Sequence, residues 1–223
     1  MAVDVRFRIF KDPASAWTHF VGFLLALGAA TALVARAAHD GPKAAGMAAY
    51  GGALVAVFLA SSLYHFLDIG PRGNRWLRRM DHAAIFLLIA GTCVPPVVHL
   101  LDGTWRVAFL GLIGSLAVAG ALSKMVWIDG PKRLGLALYL GLSLVALLPA
   151  HRILPQLSAD ALLWLVGGGA AYLLGALVYA KAWPDPWPGR FGHHEIWHLF
   201  VLAGAGAHYA FASTFIDLPY APF

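Results

Sequence analysis

Apolar residues gather along this chain into seven long stretches, with Gly, Pro and charged residues concentrated between them. A run of about 17 to 25 apolar residues is long enough to cross the hydrocarbon core of a bilayer as a helix. The pattern predicts spans near 16–38, 44–66, 82–101, 105–125, 133–150, 159–180 and 194–215. The breaks hold poor helix formers: Asp40-Gly41-Pro42, Asp68-Ile69-Gly70-Pro71-Arg72-Gly73-Asn74, Asp129-Gly130-Pro131 and Trp183-Pro184-Asp185-Pro186-Trp187-Pro188-Gly189. The expected fold is an all-α integral membrane protein, a seven-transmembrane-helix bundle. No linker or charge run is long enough to separate two folded parts, so residues 1–223 are expected to form a single membrane domain.

Composition agrees. Hydrophobic residues make up 60% of the chain and charged residues 12%, and the mean hydropathy is +0.72, too apolar for an ordinary soluble domain. The net charge of +5 does not indicate nucleic-acid binding, because the Lys and Arg residues lie in short connections, where they orient helices. Twelve of them fall before the first span and in the second, fourth and sixth connections, against four on the other side: Arg36, Lys43, Arg106 and Arg152. That bias puts the N-terminus in the cytoplasm and the C-terminus outside. The sole cysteine, Cys93, excludes an intrachain disulfide and reads as a packed thiol. The first twenty residues lack the order of a cleavable signal, so the first span is expected to serve as the insertion signal.

Against this apolar background, His65, Asp81, His194 and His198 stand out, because ionisable groups at membrane depth are costly and usually paired, water-lined or metal-bound. His65 ends the second span, Asp81 precedes the third, and the two later histidines open the seventh. An even number of spans lies between residues 82 and 193, so all four share one membrane face. Residues four apart lie on one side of a helix, which pairs Ser61 with His65 and His194 with His198. Neutral imidazole is a common zinc ligand, and a catalytic zinc typically takes three protein ligands and a water. His65, His194 and His198 supply three; Asp81 is placed to orient the water and Ser61 to stabilise a developing oxyanion.

Plainer readings of the same residues stand beside this one. The histidines also suit interhelical hydrogen bonds, Asp81 suits an N-cap or a salt bridge to Arg78 or Arg79, and Ser61 suits a bond to its own helix backbone. His194-Glu195-Ile196-Trp197-His198 fits the H-E-x-x-H pattern, in which Glu is a general base. The extended protease pattern is not met, since Gly204 stands where its further His falls. His19, His82 and His193 lie near the same face and read by default as solvated interfacial residues, with partners of the ligands as the alternative; His99, His151 and His208 lie toward the other face and read as structural. The Trp residues near span ends suit an aromatic belt, and Gly51-Gly52 and Gly167-Gly168-Gly169 suit close helix approach.

Three blocks together resemble a known family: Ser61-Ser62-Leu63-Tyr64-His65, the run Asp81-His82-Ala83-Ala84-Ile85-Phe86-Leu87-Leu88-Ile89-Ala90-Gly91-Thr92, and His194-Glu195-Ile196-Trp197-His198-Leu199-Phe200. They look like the signature blocks of bacterial hemolysin III proteins, relatives of the progestin and adipoQ receptors and, more distantly, of alkaline ceramidases. The resemblance covers essentially the whole chain. It implies a seven-helix fold in the bacterial cell (inner) membrane, with zinc near the cytoplasmic face bound by His65, His194 and His198, and with Ser61 and Asp81 beside the metal. Two departures matter. Many relatives carry a Glu and an Asn shortly before the Thr-His pair of the first span, where this chain has Asp12 and Ser15 ahead of Thr18-His19, so the role of that pair is open. Receptor members often have Gln at the position of Glu195, so no base role is assigned to it.

The expected function is a zinc-dependent hydrolase of a membrane lipid amide or ester, acting in membrane lipid homeostasis. The alternative is a membrane sensor or regulator with a structural zinc. A pore-forming hemolysin ranks third, since no amphipathic insertion segment appears. Membrane lipids are the expected partners.

Overall fold

The computed structural model describes residues 8, 9 and 11–217. Its long helices are α1 (Pro13–Ala37), α2 (Gly41–Phe66), α3 (Gly70–Leu100), α4 (Gly103–Val126), α5 (Lys132–Val145), α7 (Ala159–Lys181) and α8 (His193–Ser213), with the short α6 (Ala150–Ile153) between α5 and α7. Six segments are long and apolar enough to cross a membrane: α1 to α4, the stretch Lys132–Gln156 and α7. The protein is therefore an all-helical, multi-pass membrane protein. At 21 residues α8 has spanning length, but His193, His194, Glu195, His198 and His208 dilute its apolar character and keep it out of that set.

Helices adjacent in sequence pack side by side, α1 on α2, α2 on α3, α3 on α4 and α7 on α8, and α1 meets α8 to join the two ends of the chain. The interior core is built from side chains such as Leu33, Met47, Tyr50, Phe58, Phe211 and Phe215. The outer surface is apolar too, with Leu25 66% and Val126 80% exposed. An outward apolar coat of this extent suits lipid and would be a liability in water. Trp17, Trp76, Trp105, Trp183 and Trp187 are exposed as well, as a belt requires. Close approach holds at Gly51, where an added Cβ would lie 2.7 Å from that of Ala30, and at Gly168, where it would meet the His208 ring; Gly52, Gly167 and Gly169 face open space.

Two expectations about boundaries need correction. The third span was placed at 82–101 with residues 68–74 as a loop, yet α3 starts at Gly70 and runs for 31 residues. Pro71 sits in its first turn, where a missing N–H costs nothing and a fixed φ favours the helix. Gly-Pro is therefore a start signal here. The fifth span was placed at 133–150, but α5 stops at Val145 and a turn ahead of Pro149 separates it from α6.

A short backbone ladder positions the site. Strand β1 (Arg8–Ile9) pairs antiparallel with β2 (Leu67–Asp68). The pairing continues as Lys11 N donates to Phe66 O at 3.3 Å and Asp12 N to His65 O at 3.0 Å. The segment ahead of α1 is thus laid along the end of α2.

Candidate metal centre

His65 from the end of α2 and His194 and His198 from the start of α8 come together. His65 Nε2 and His194 Nε2 lie 3.4 Å apart. His65, His194 and His198 each offer a ring nitrogen within 4.8 Å of the others, a set able to hold one metal ion. Ring centroids are separated by 5.1 Å for His65 and His194, 5.0 Å for His65 and His198, and 4.7 Å for His194 and His198. Two nitrogens bound to one tetrahedral zinc at about 2.0–2.1 Å would stand about 3.3–3.4 Å apart, so the closest pair already has the spacing of two ligands. His65 and His198 are buried and His194 is half-buried.

The other two site residues sit beside this set. Asp81 lies three turns into α3 and is not its N-cap, because the helix begins eleven residues earlier. Nor does it pair with Arg78, which reaches Asp129 instead. Its Oδ2 is 3.1 Å from His82 Nδ1, it accepts a hydrogen bond from Ser61, and it is close enough to His65 and His194 to interact electrostatically. Among the described residues Asp81 is outside the group able to share one ion. That leaves it as a neighbour of the ion with a carboxylate to offer.

Two supporting interactions were not readable beforehand. Asp12, whose role was open, sets its Oδ2 3.0 Å from His65 Nδ1. That contact fixes the His65 ring and turns Nε2 toward the other histidines, the arrangement in which a carboxylate behind a ligating His raises its basicity. The hydrogen bond to His65 also holds the Asp12 carboxyl below its ordinary pKa. Ser15, the second open position, donates to Glu195 Oε1 at 2.8 Å, while Glu195 Oε2 accepts from Gly192 N at 2.8 Å. Both Glu195 oxygens are thus spent on capping α8 and tying it to α1. His19 is a correction: it is not a solvated interfacial residue but 4% exposed, stacked on His198 with centroids 3.7 Å apart and planes 12° from parallel. The only advance signal for these contacts was the clustering of Asp12, Ser15 and His19 at the start of the first span.

The chain matches the model of a family described as "Haemolysin-III related" over residues 7–209. It is 29% identical over 211 residues to Hemolysin-3 of Bacillus cereus, covering 94% of this chain and 93% of that protein. It is 30% identical over 203 residues to the Hemolysin-3 homolog of Bacillus subtilis (strain 168), covering 90% and 92%. Similarity extends to the adiponectin receptor protein of Drosophila melanogaster, at 26% identity over 91% of this chain and 50% of the receptor.

Proposed function

We propose that this chain, which belongs to the haemolysin-III-related family of membrane proteins, binds zinc through His65, His194 and His198 and hydrolyses an amide or ester of a membrane lipid. In this reading α8 is a seventh span in a single membrane domain. The histidine end faces the cytoplasm of a bacterial inner membrane, as the distribution of Lys and Arg favours.

One observation carries the reading: three protein nitrogens converge, with a carboxylate and a hydroxyl beside them but outside the ligand group. Three nitrogen ligands with a position left for water is the catalytic pattern of zinc, whereas structural sites close with four protein ligands. The donor set is also chemically right, since imidazole suits zinc and other late transition metals better than magnesium or calcium. A zinc ion held there supplies Lewis-acid polarisation of the acyl carbonyl and brings the pKa of a water molecule to about 7.

The chain's own residues do the rest. Asp81 takes the proton of the attacking water and returns it to the leaving amine or alcohol. The Ser61 hydroxyl donates to Asp81 in the resting site and, once Asp81 has taken up the water's proton, turns its one O–H to the developing oxyanion. Asp12 keeps His65 Nε2 directed at the site, and the stack with His19 limits the tilt of His198.

The test is fatty-acid release from a lipid panel by purified protein in nanodiscs, with zinc measured for every variant. Asp81→Asn is expected to keep its zinc and lose about 10²- to 10⁴-fold in rate, because an amide cannot take up the proton. Glu195→Gln is expected to leave the rate within about threefold, since its oxygens serve the helix cap. If wild type releases no more than the zinc-free variant across the panel, the sensor reading replaces this one; a dead Glu195→Gln with an active Asp81→Asn reassigns the base.

A further inference from the structure

Beside the histidines, on the same end of the bundle, lies a cleft of about 520 Å³ that the reaction above does not use. Lys11, Tyr64, Asn74, Arg75, Arg78 and Asp129 line it. Within the lining three cations face one carboxylate, while Asp68, which accepts from the lining Asn74 at 2.7 Å, and Asp12 and Asp81 act on Lys11 from outside it. Arg75 bonds Asp129 Oδ2, and Arg78 Nη1 reaches Asp129 Oδ1 only at 3.4 Å. Lys11 Nζ sits 3.5 Å over the Tyr64 ring, and no carboxylate lies within ion-pair distance of it among the described residues. Asp129 therefore holds the two arginine forks together while leaving the lining itself net positive, with spare N–H donors.

The position of the cleft gives those donors a use. Tyr64 precedes His65, and their rings are 4.7 Å apart; Lys11 precedes Asp12, which holds His65. Arg78 stands one helical turn before Asp81 on α3. A group seated among Lys11, Arg75 and Arg78 is thus beside the histidine set, one residue from His65 along α2 and one residue from its partner Asp12 along the segment ahead of α1. Planar guanidinium forks and an ammonium are suited to the tetrahedral oxygens of a phosphate, and Arg in particular binds them bidentately.

We infer that this cleft binds the phosphate of a membrane phospholipid and holds its acyl linkage toward the histidine centre. That the bound lipid is also the substrate rests on the hydrolase reading; the binding does not, and it is measured without turnover.

The experiment is a calorimetric titration of the full chain, as wild type and with Asp81→Asn to suppress any turnover, in a phosphate-free maltoside at low ionic strength. The probes are dihexanoyl phosphatidic acid, dihexanoylglycerol and inorganic phosphate. Dihexanoyl phosphatidic acid is expected to bind saturably at one site and to weaken as salt is raised, because the cations are partly exposed. Lys11→Gln combined with Arg78→Gln is expected to weaken it about tenfold or more, by loss of two charge-assisted contacts. Asp129→Asn is expected to tighten it several-fold by freeing both arginines, a gain that misfolding cannot produce. Equal binding of dihexanoylglycerol, or no change in either variant, overturns the site. Inorganic phosphate binding as tightly as the lipid overturns the assignment to a phospholipid.

Discussion

The two ends of the bundle bury comparable sets of basic side chains and treat them in opposite ways. At the end away from the histidine cluster, Lys43, His99 and Arg106 are buried to 5%, 1% and 5% exposure, and each turns a nitrogen to a main-chain carbonyl. Lys43 Nζ donates to Ile216 O and Arg106 Nε to Leu101 O, both at 2.7 Å, and His99 Nδ1 lies 2.7 Å from Pro95 O. Ile216 and Leu101 follow the last turns of α8 and α3, where helices leave carbonyls without backbone partners. Lys43 and Arg106 thus close off helix ends, while His99 bonds back within α3. At the other end His65 and His194 point their nitrogens at each other, with His198 completing the set, an arrangement that satisfies imidazoles only if a proton or a cation is shared. Burial of a basic residue in a membrane protein is thus not in itself a functional signal. What separates the ends is that one turns nitrogens to main-chain carbonyls and the other turns imidazole nitrogens toward one another.

The largest expected effect falls on the histidine end. His194→Ala combined with His198→Ala is expected to empty the site, taking zinc from about one per chain to background by elemental analysis, because one ligand cannot hold the ion. Full occupancy in that variant would erase the contrast between the ends. A smaller effect is expected one contact back: Asp12→Asn should weaken zinc affinity by about 10- to 100-fold in a chelator competition, the usual cost of removing a carboxylate behind a ligating histidine. Unchanged affinity would make Asp12 a structural residue like those of the opposite end. The smallest change sharpens the comparison from the other side. Lys43→Met should lower stability by about 1–3 kcal/mol, since it leaves the buried Ile216 carbonyl without its charged donor, and should leave zinc content unaltered. Thermal unfolding in detergent with parallel metal analysis checks both halves.

The asymmetry was only partly legible in the sequence. Two rules, i, i+4 spacing on a helix and an even count of intervening spans, put His65, His194 and His198 at one membrane face; that they form a metal set came from the family blocks. Asp12 could not be given a role, because its contact with His65 depends on the register of a backbone ladder between segments 53 residues apart, which hydropathy does not encode. His19 was misjudged for a related reason. Interfacial position says how near water a residue lies, not which helix covers it, and α8 covers this one. The early start of α3 was hidden by Gly70-Pro71, a pair that reads as a break until the first turn is recognised as the place proline is tolerated. The family blocks supplied none of these three, although the match across residues 7–209 bears out the resemblance itself.

The central claim is that three histidines hold a zinc ion with a coordination position left for chemistry. X-ray absorption at the zinc edge of the purified protein in nanodiscs tests it most directly. The account predicts about one zinc per chain in a four-coordinate shell of light atoms at about 2.0–2.1 Å, with outer-shell scattering from three imidazoles, and a spectrum that changes when a hydroxamate is added. A protein that binds no zinc, or one whose zinc shell shows no imidazole scattering, would contradict it.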